Sequence, residues 1–287
     1  MAEETESVEL LLDRAEYRAV IRLGRSFVTR AMARRIVEHL DAIDADDDVK
    51  VVVIESSGPD LSRGWDPDEA WRQYVEAPGG AVRKHPSQRA RLEAFDESWW
   101  GDRGLYRRLL HCRKVTVVKA VGECFETGLF LALCADLVVA DVGARFAVPR
   151  WHSLGADGDL SLLIATVGLK RTSELAFAGR IWDSATAERI GLVDEVADDV
   201  DTAVDTLAGM CASIMRDGIV TEKYAVFASL AKMGVDHSFA AATVVGASLS
   251  NIHFQPEEFN FLAEVRRNGA DEALARSRAR LTASEVP

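Results

Sequence analysis

Residues with chemistry in them gather after Pro149, where Trp151, His152, Asp157 and Asp159 follow within a few positions. The ordinary imidazole pKa lies near neutrality, so His152 suits a general base that activates water. Asp157 is close enough in sequence to orient that imidazole as the acid of a triad does. The competing reading of His152 is a loop histidine bonded to backbone, and Asp159 suits the N-cap of a helix that starts at Leu160. Earlier in the chain Glu126 precedes Gly128, where a helix is expected to start. Gly64 and Gly128 are either plain turn residues or points where backbone approaches a ligand closely. The four cysteines, Cys112, Cys124, Cys134 and Cys211, form no CxxC pair. No His/Cys cluster has zinc spacing, so no metal and no resident cofactor is expected.

These groups must be held by an α/β framework. Residues 8–12 and 18–23 are rich in apolar and branched side chains and predict two paired strands. Thr29 predicts the cap of a helix running to Leu40, with Met32, Ile36, Val37 and Leu40 on one face. Residues 44–48 predict a turn, and the all-apolar 51–54 a strand buried on both faces, as in a parallel sheet. Strand, helix and strand imply a right-handed crossover. Residues 57–100 show no period, and about 76–98 reads as an irregular lid or insertion; Trp71, Tyr74, Trp99 and Trp100 there suit an apolar pocket or a subunit contact. Beyond it come a helix over 106–110, a strand over 115–121, a short loop, the helix from Gly128 and a strand over 137–140. Helices follow at 161–167, 173–177 and 185–190, then a strand at 192–196. After Asp198 only helices are predicted, over 203–215, 222–232, 239–250 and 257–267. The expected organisation is an α/β core over 1–198 and a helical C-terminal region over 199–287.

Composition limits the function classes. Of 287 residues 48% are hydrophobic, enough for a sizeable core, and the net charge of −12 speaks against nucleic-acid or anionic-membrane binding. The acidic N-terminus lacks the apolar stretch of a signal peptide, and no run is long enough to span a membrane, so a cytoplasmic protein is expected.

Four segments in order resemble the crotonase (enoyl-CoA hydratase/isomerase) superfamily. VVVIESSGPDLSRGWDPDEA (51–70) is similar to the family's first oxyanion-hole segment, and VTVVKAVGECFETGLFLALCADLVVAD (115–141) to its second. FAVPRWHSLGADGD (146–159) stands where the family has F-x-x-P-E, and SATAERIGLVDEV (184–196) matches the segment that follows the core. The resemblance implies a crotonase-like ββα-superhelix core with a helical trimerisation region, assembled as a homotrimer or as a hexamer of two trimers. It implies that the backbone N–H groups of Trp65 and Thr127 hold an enolate or oxyanion, with Gly64 and Gly128 beside them. Such a donor stabilises the transition state by about 3–4 kcal/mol.

The chain departs from that pattern at three places. Hydratases of the family carry two glutamates, expected where this chain has Phe130 and Arg150, and neither can shuttle the proton. Glu126, one turn before Phe130, is the substitute on offer. The loop of IRLGRSFVTRAM (21–32) is short where relatives contact CoA, so a CoA thioester substrate is a possibility rather than a requirement; the pairs Arg34-Arg35 and Arg266-Arg267 suit phosphates or a solvated helix face. LGADGDLSLL (154–163) resembles a segment of 6-oxocamphor hydrolase-like C–C hydrolases. The combination points first to hydrolytic, retro-Claisen cleavage of a β-dicarbonyl compound by His152 and Asp157, with Phe130, Arg150 and Trp151 lining the pocket. The alternatives are an acyl-CoA enzyme with non-standard acid/base residues and a non-catalytic subunit of the same fold.

Overall fold

The computed structural model describes residues 8–69, 88–151, 160–248 and 254–282. Its centre is a six-stranded sheet in the order β1-β2-β4-β6-β8-β11. The strands are β1 (Val8–Asp13), β2 (Arg18–Leu23), β4 (Val51–Ser56), β6 (Val115–Ala120), β8 (Leu137–Asp141) and β11 (Glu195–Ala197). β1 runs antiparallel to β2 and all other neighbours are parallel. The apolar run of β4 has the reason expected. Val52 and Ile54 face the main core, whereas Val51 and Val53 face a second cluster with Val204, Ala208 and Cys211 of helix α8 (Val200–Ala212).

Helix α1 (Arg30–Asp44) starts where predicted, with Thr29 Oγ1 accepting from the Met32 N–H. It runs four residues beyond Leu40, because Ile43 continues the buried face. The loop before it is as short as the sequence indicated: Leu23 ends β2, and the two-residue strand β3 (Phe27–Val28) already leads into the cap.

Several local expectations are corrected. Residues 88–98 of the supposed irregular lid form helix α2 (Gln88–Phe95) and the start of a π-helical turn (Asp96–Trp100). Their polar N-terminal half hides the period, while Phe95, Trp99 and Trp100 supply a buried face at the end. The remainder of that stretch, with Trp71 and Tyr74, lies outside the described residues. After it come helix α3 (Leu105–Leu110) and helix α4 (Thr127–Cys134), which begins one residue before Gly128, then α5 (Leu160–Val167) and α6 (Leu169–Ala178). The loop after β6 contains a strand, β7 (Glu123–Phe125). Glu195–Ala197, not 192–196, pairs with β8, because Leu192 and Val193 turn inward after the short helix α7 (Ser184–Arg189).

The helical C-terminal region comprises α8, α9 (Arg216–Lys232), α10 (Val235–Ser248), α11 (Phe261–Asn268) and α12 (Ala270–Thr282). α12 was not anticipated; Ala273, Ser277 and Leu281, four residues apart, form its buried stripe. Lys223 of α9 is buried and donates to both Asp136 oxygens at 2.6 and 2.7 Å, while Asp136 also accepts from Thr116. That network fixes α9 to the ends of β6 and β8. No described helix is long and apolar enough to cross a membrane.

Candidate functional site

Three chain segments lie side by side and build the site. Strand β5 (Gly64–Trp65) pairs with β3, and the residues before it are zipped to β7: the Ser62 N–H donates to Glu123 O at 2.9 Å, and the Phe125 N–H to Ser62 O at 2.8 Å. β7 in turn runs parallel to β9 (Arg145–Ala147), and the Glu126 N–H donates to Ala147 O at 2.8 Å. This register sets Gly64–Trp65, Glu126–Thr127 and Pro149–Arg150 at one end of the three segments.

Gly122 makes the entry to β7 possible. At φ +55 it occupies the left-handed region, and a Cβ there would stand 2.2 Å from Pro59 O. Asp66, the residue after β5, accepts from the Asp68 and Glu69 N–H groups at 2.9 and 3.0 Å and so caps the next turn.

Glu126 is the unusual residue. It is buried, and its backbone sits at φ 49, ψ −102, a conformation that a residue bearing a Cβ rarely adopts. Its carboxylate Oε1 accepts from the Arg150 N–H at 3.0 Å, and Oε2 lies 3.4 Å from Arg150 Nε. A Cβ placed on Gly64 would come within 2.7 Å of Oε2, so the carboxylate lies directly against the bare Gly64 Cα. Thr127 follows as the first residue of α4, where the N–H has no acceptor within the helix and the helix dipole favours negative charge. Gly128 approaches Ser62 closely; a Cβ there would be 3.1 Å from Ser62 Cβ.

Two clefts meet at Arg150. One is lined by Thr127, Phe130 and Arg150 together with Phe95, Trp99, Trp100 and Tyr106. The other is lined by Glu126, Arg63, Pro67, Pro149 and Arg150 and is covered by Phe261, Leu274, Ser277 and Arg278 of α11 and α12. Arg278 holds α12 down by donating to both oxygens of Glu123 at 3.1 and 2.7 Å; Arg63 also pairs with Glu123 at 3.3 Å. Phe130 and Trp151, expected to line a pocket, are buried with ring centroids 6.1 Å apart.

The structure thus brings together Gly64, Trp65, Glu126, Thr127, Gly128, Phe130 and Arg150. His152, Asp157 and Asp159 lie outside the described residues, as do His85 and His253. His39 is a core residue bonded to Val8 O at 3.2 Å, and His111 pairs with Asp236 at 3.1 Å. Arg35 and Arg267 pair with Glu38 and Glu264 on their own helices. Sequence reasoning did not find Arg63, Tyr106 or the α12 residues. The available signals were the charge directly before Gly64 and the Ala273/Ser277/Leu281 spacing.

No described group of residues could hold a metal ion. A thiol nucleophile is also disfavoured. Burial, with Asp141 and Asp60 nearby, pushes the Cys124 thiol well above its ordinary value, and burial beside Asp44 pushes Cys112 up to about 12. All four cysteines are buried. A thiol-labelling time course at neutral pH is therefore expected to modify none of them quickly in the native protein and all four after denaturation. Rapid native labelling of Cys124 would contradict this assignment.

A family model described as enoyl-CoA hydratase/isomerase matches residues 19–245. Over 217 residues the chain is 27% identical to the mevalonyl-coenzyme A hydratase of Beauveria bassiana, covering 71% of this chain and 73% of that protein. Over 229 residues it is 26% identical to the cyclohexa-1,5-dienecarbonyl-CoA hydratase of Thauera aromatica, covering 75% and 80%. The solved structure of an enoyl-CoA hydratase from Mycobacterium smegmatis superposes with a TM-score of 0.80 at 22% identity, covering 96% of this chain and 94% of that one, which speaks to the fold.

Proposed function

The chain belongs to the enoyl-CoA hydratase/isomerase family, and from that premise we propose that it enolises an acyl thioester with one carboxylate, Glu126, in the manner of an isomerase. The observation that carries this reading is the placement of Glu126. Among the described residues lining the two clefts it is the one carboxylate. Hydration across a double bond calls for two groups, one to activate water and one to protonate carbon. A 1,3-proton shift calls for one group that removes a proton and returns it. By the resemblance Phe130 and Arg150 stand at both positions where the family's hydratases carry glutamate, and Glu126 lines the cleft under α11 and α12.

In this mechanism the thioester carbonyl accepts from the Trp65 and Thr127 N–H groups. Glu126 takes the α- or γ-proton, negative charge develops on the carbonyl oxygen, and the two amides hold it. The same carboxylate delivers the proton to the other carbon. The Arg150 guanidinium, 3.4 Å from Glu126, offsets the carboxylate charge between turnovers. The β-dicarbonyl hydrolysis expected from His152 and Asp157 gains no support from the relatives, which are named as hydratases of CoA thioesters. Self-association, as the resemblance implied, is supported by Tyr224 of α9, Met233 at its C-cap and Val244 of α10, which are exposed.

The test is solvent exchange at the acyl α-carbon. Incubated with butanoyl-CoA in D2O, the protein is expected to replace the α-protons by deuterium, followed by proton NMR. If neither exchange nor interconversion of 2- and 3-enoyl thioesters occurs, the enolisation reading fails.

A further inference from the structure

The aromatic cleft sets a size limit. Trp100 and Tyr106 lie 4.5 Å apart between ring centroids, Trp100 and Phe130 5.1 Å, and Tyr106 and Phe130 5.3 Å. All three are buried. Other described side chains back them. Trp99 stacks on Tyr106 at 5.8 Å, Phe239 of α10 packs on Trp100 at 5.8 Å, and Trp151 on Phe130 at 6.1 Å. α10 itself presses on Phe95, because a Cβ added to Gly246 would stand 2.6 Å from the Phe95 ring. The free space left between these rings is only about 10 Å³, on the order of a single water. Phe130 contributes directly to this closure: where the family's hydratases carry glutamate, this chain adds a third ring to the Trp100–Tyr106 pair.

We propose that Trp100, Tyr106 and Phe130 determine specificity by closing the acyl end of the site, so that the substrates are thioesters of short-chain acids. The proposal rests on the enolisation site described above, since Thr127 and Arg150 line the same cleft. A close-packed group of rings cannot yield to a longer chain without displacing neighbours that are themselves buried. An acyl chain extending past Thr127 meets the ring faces. The π-helical turn Asp96–Trp100 serves this closure, because its extra residue per turn brings Trp99 and Trp100 onto the buried side together.

The experiment is equilibrium binding of saturated butanoyl-, hexanoyl-, octanoyl- and decanoyl-CoA to the full-length protein by calorimetry, alongside α-proton exchange for each. Butanoyl-CoA is expected to bind most tightly, with affinity falling by about tenfold or more at each step. Phe130→Leu and Trp100→Phe are expected to move the preferred length upward through Kd and KM, with kcat for butanoyl-CoA changing less. The wild-type series stands alone if either variant misfolds. Decanoyl-CoA binding as tightly as butanoyl-CoA overturns the proposal while leaving enolisation intact. Binding in the expected order without α-proton exchange overturns the enolisation reading and keeps the size limit. No binding of any member removes both.

Discussion

Glu126→Gln is expected to lower kcat for α-proton exchange by about 10²–10⁴-fold, the contribution of a positioned general base. The substitution is close to isosteric. The amide oxygen can still accept from the Arg150 N–H, which the carboxylate meets at 3.0 Å, so the fold and the clefts are preserved. KM is expected to change little, because the acyl chain and the thioester carbonyl contact other groups. Steady-state exchange rates and a thermal melt of the same sample check both halves. A glutamine variant that exchanges within a factor of a few of wild type would remove Glu126 from the mechanism. The proton would then have to move through a group beyond the described residues, with His152 and Asp157 the first to examine.

Gly64→Ala is expected to cost about 10²-fold in kcat, the scale of a catalytic group displaced by about 1 Å. Two observations combine here. Gly64 sits at φ +109, where an L side chain is strained by about 1–3 kcal/mol. Its Cβ would also stand 2.7 Å from Glu126 Oε2 and 3.0 Å from Cδ. The carboxylate has to retreat, which breaks its bond to the Arg150 N–H, and the backbone that carries the Trp65 N–H shifts with the strained turn. The double variant Gly64→Ala/Glu126→Gln separates the two effects. If the alanine acts through Glu126, it is no slower than Glu126→Gln alone. If it acts through the turn, the losses multiply. A folded Gly64→Ala enzyme with wild-type kcat would show that the close contact has no role in the reaction.

Much of the framework was legible in the residue order, and for identifiable reasons. The run at 51–54 is continuously apolar because β4, a central parallel strand, is covered on both faces; 18–23 and 115–121 are mainly apolar, interrupted by Arg18, Arg22, Thr116 and Lys119, and supply its neighbours β2 and β6. Thr29 caps α1 because a hydroxyl before an amphipathic stretch satisfies an end N–H. Short elements were harder. β7, β9 and β10 (Trp182–Asp183) have two or three residues each and exist because neighbouring segments pair with them. Helix α2 was hidden because its sequence is mostly polar before Phe95, the buried residue at its C-terminal end, which meets α10.

The sequence by itself indicated where the site departs from the family pattern. By the resemblance Phe130 and Arg150 stand where two glutamates are expected, and no spatial arrangement can give a benzyl ring or a guanidinium a proton carrier's role at neutral pH. It also determined the family, because four segments in a fixed order encode one sheet and its crossovers. Only the tertiary structure decided what Glu126 can do. Its distance from Phe130 along the chain is one helical turn, and helical periodicity alone would set it aside. Its backbone instead enters α4 at φ 49, which turns the carboxylate toward Gly64 and the Arg150 N–H, two partners 62 and 24 residues away. Local pattern carries no information about a contact of that kind. It arises when β5, β7 and β9 are set in register and their ends converge.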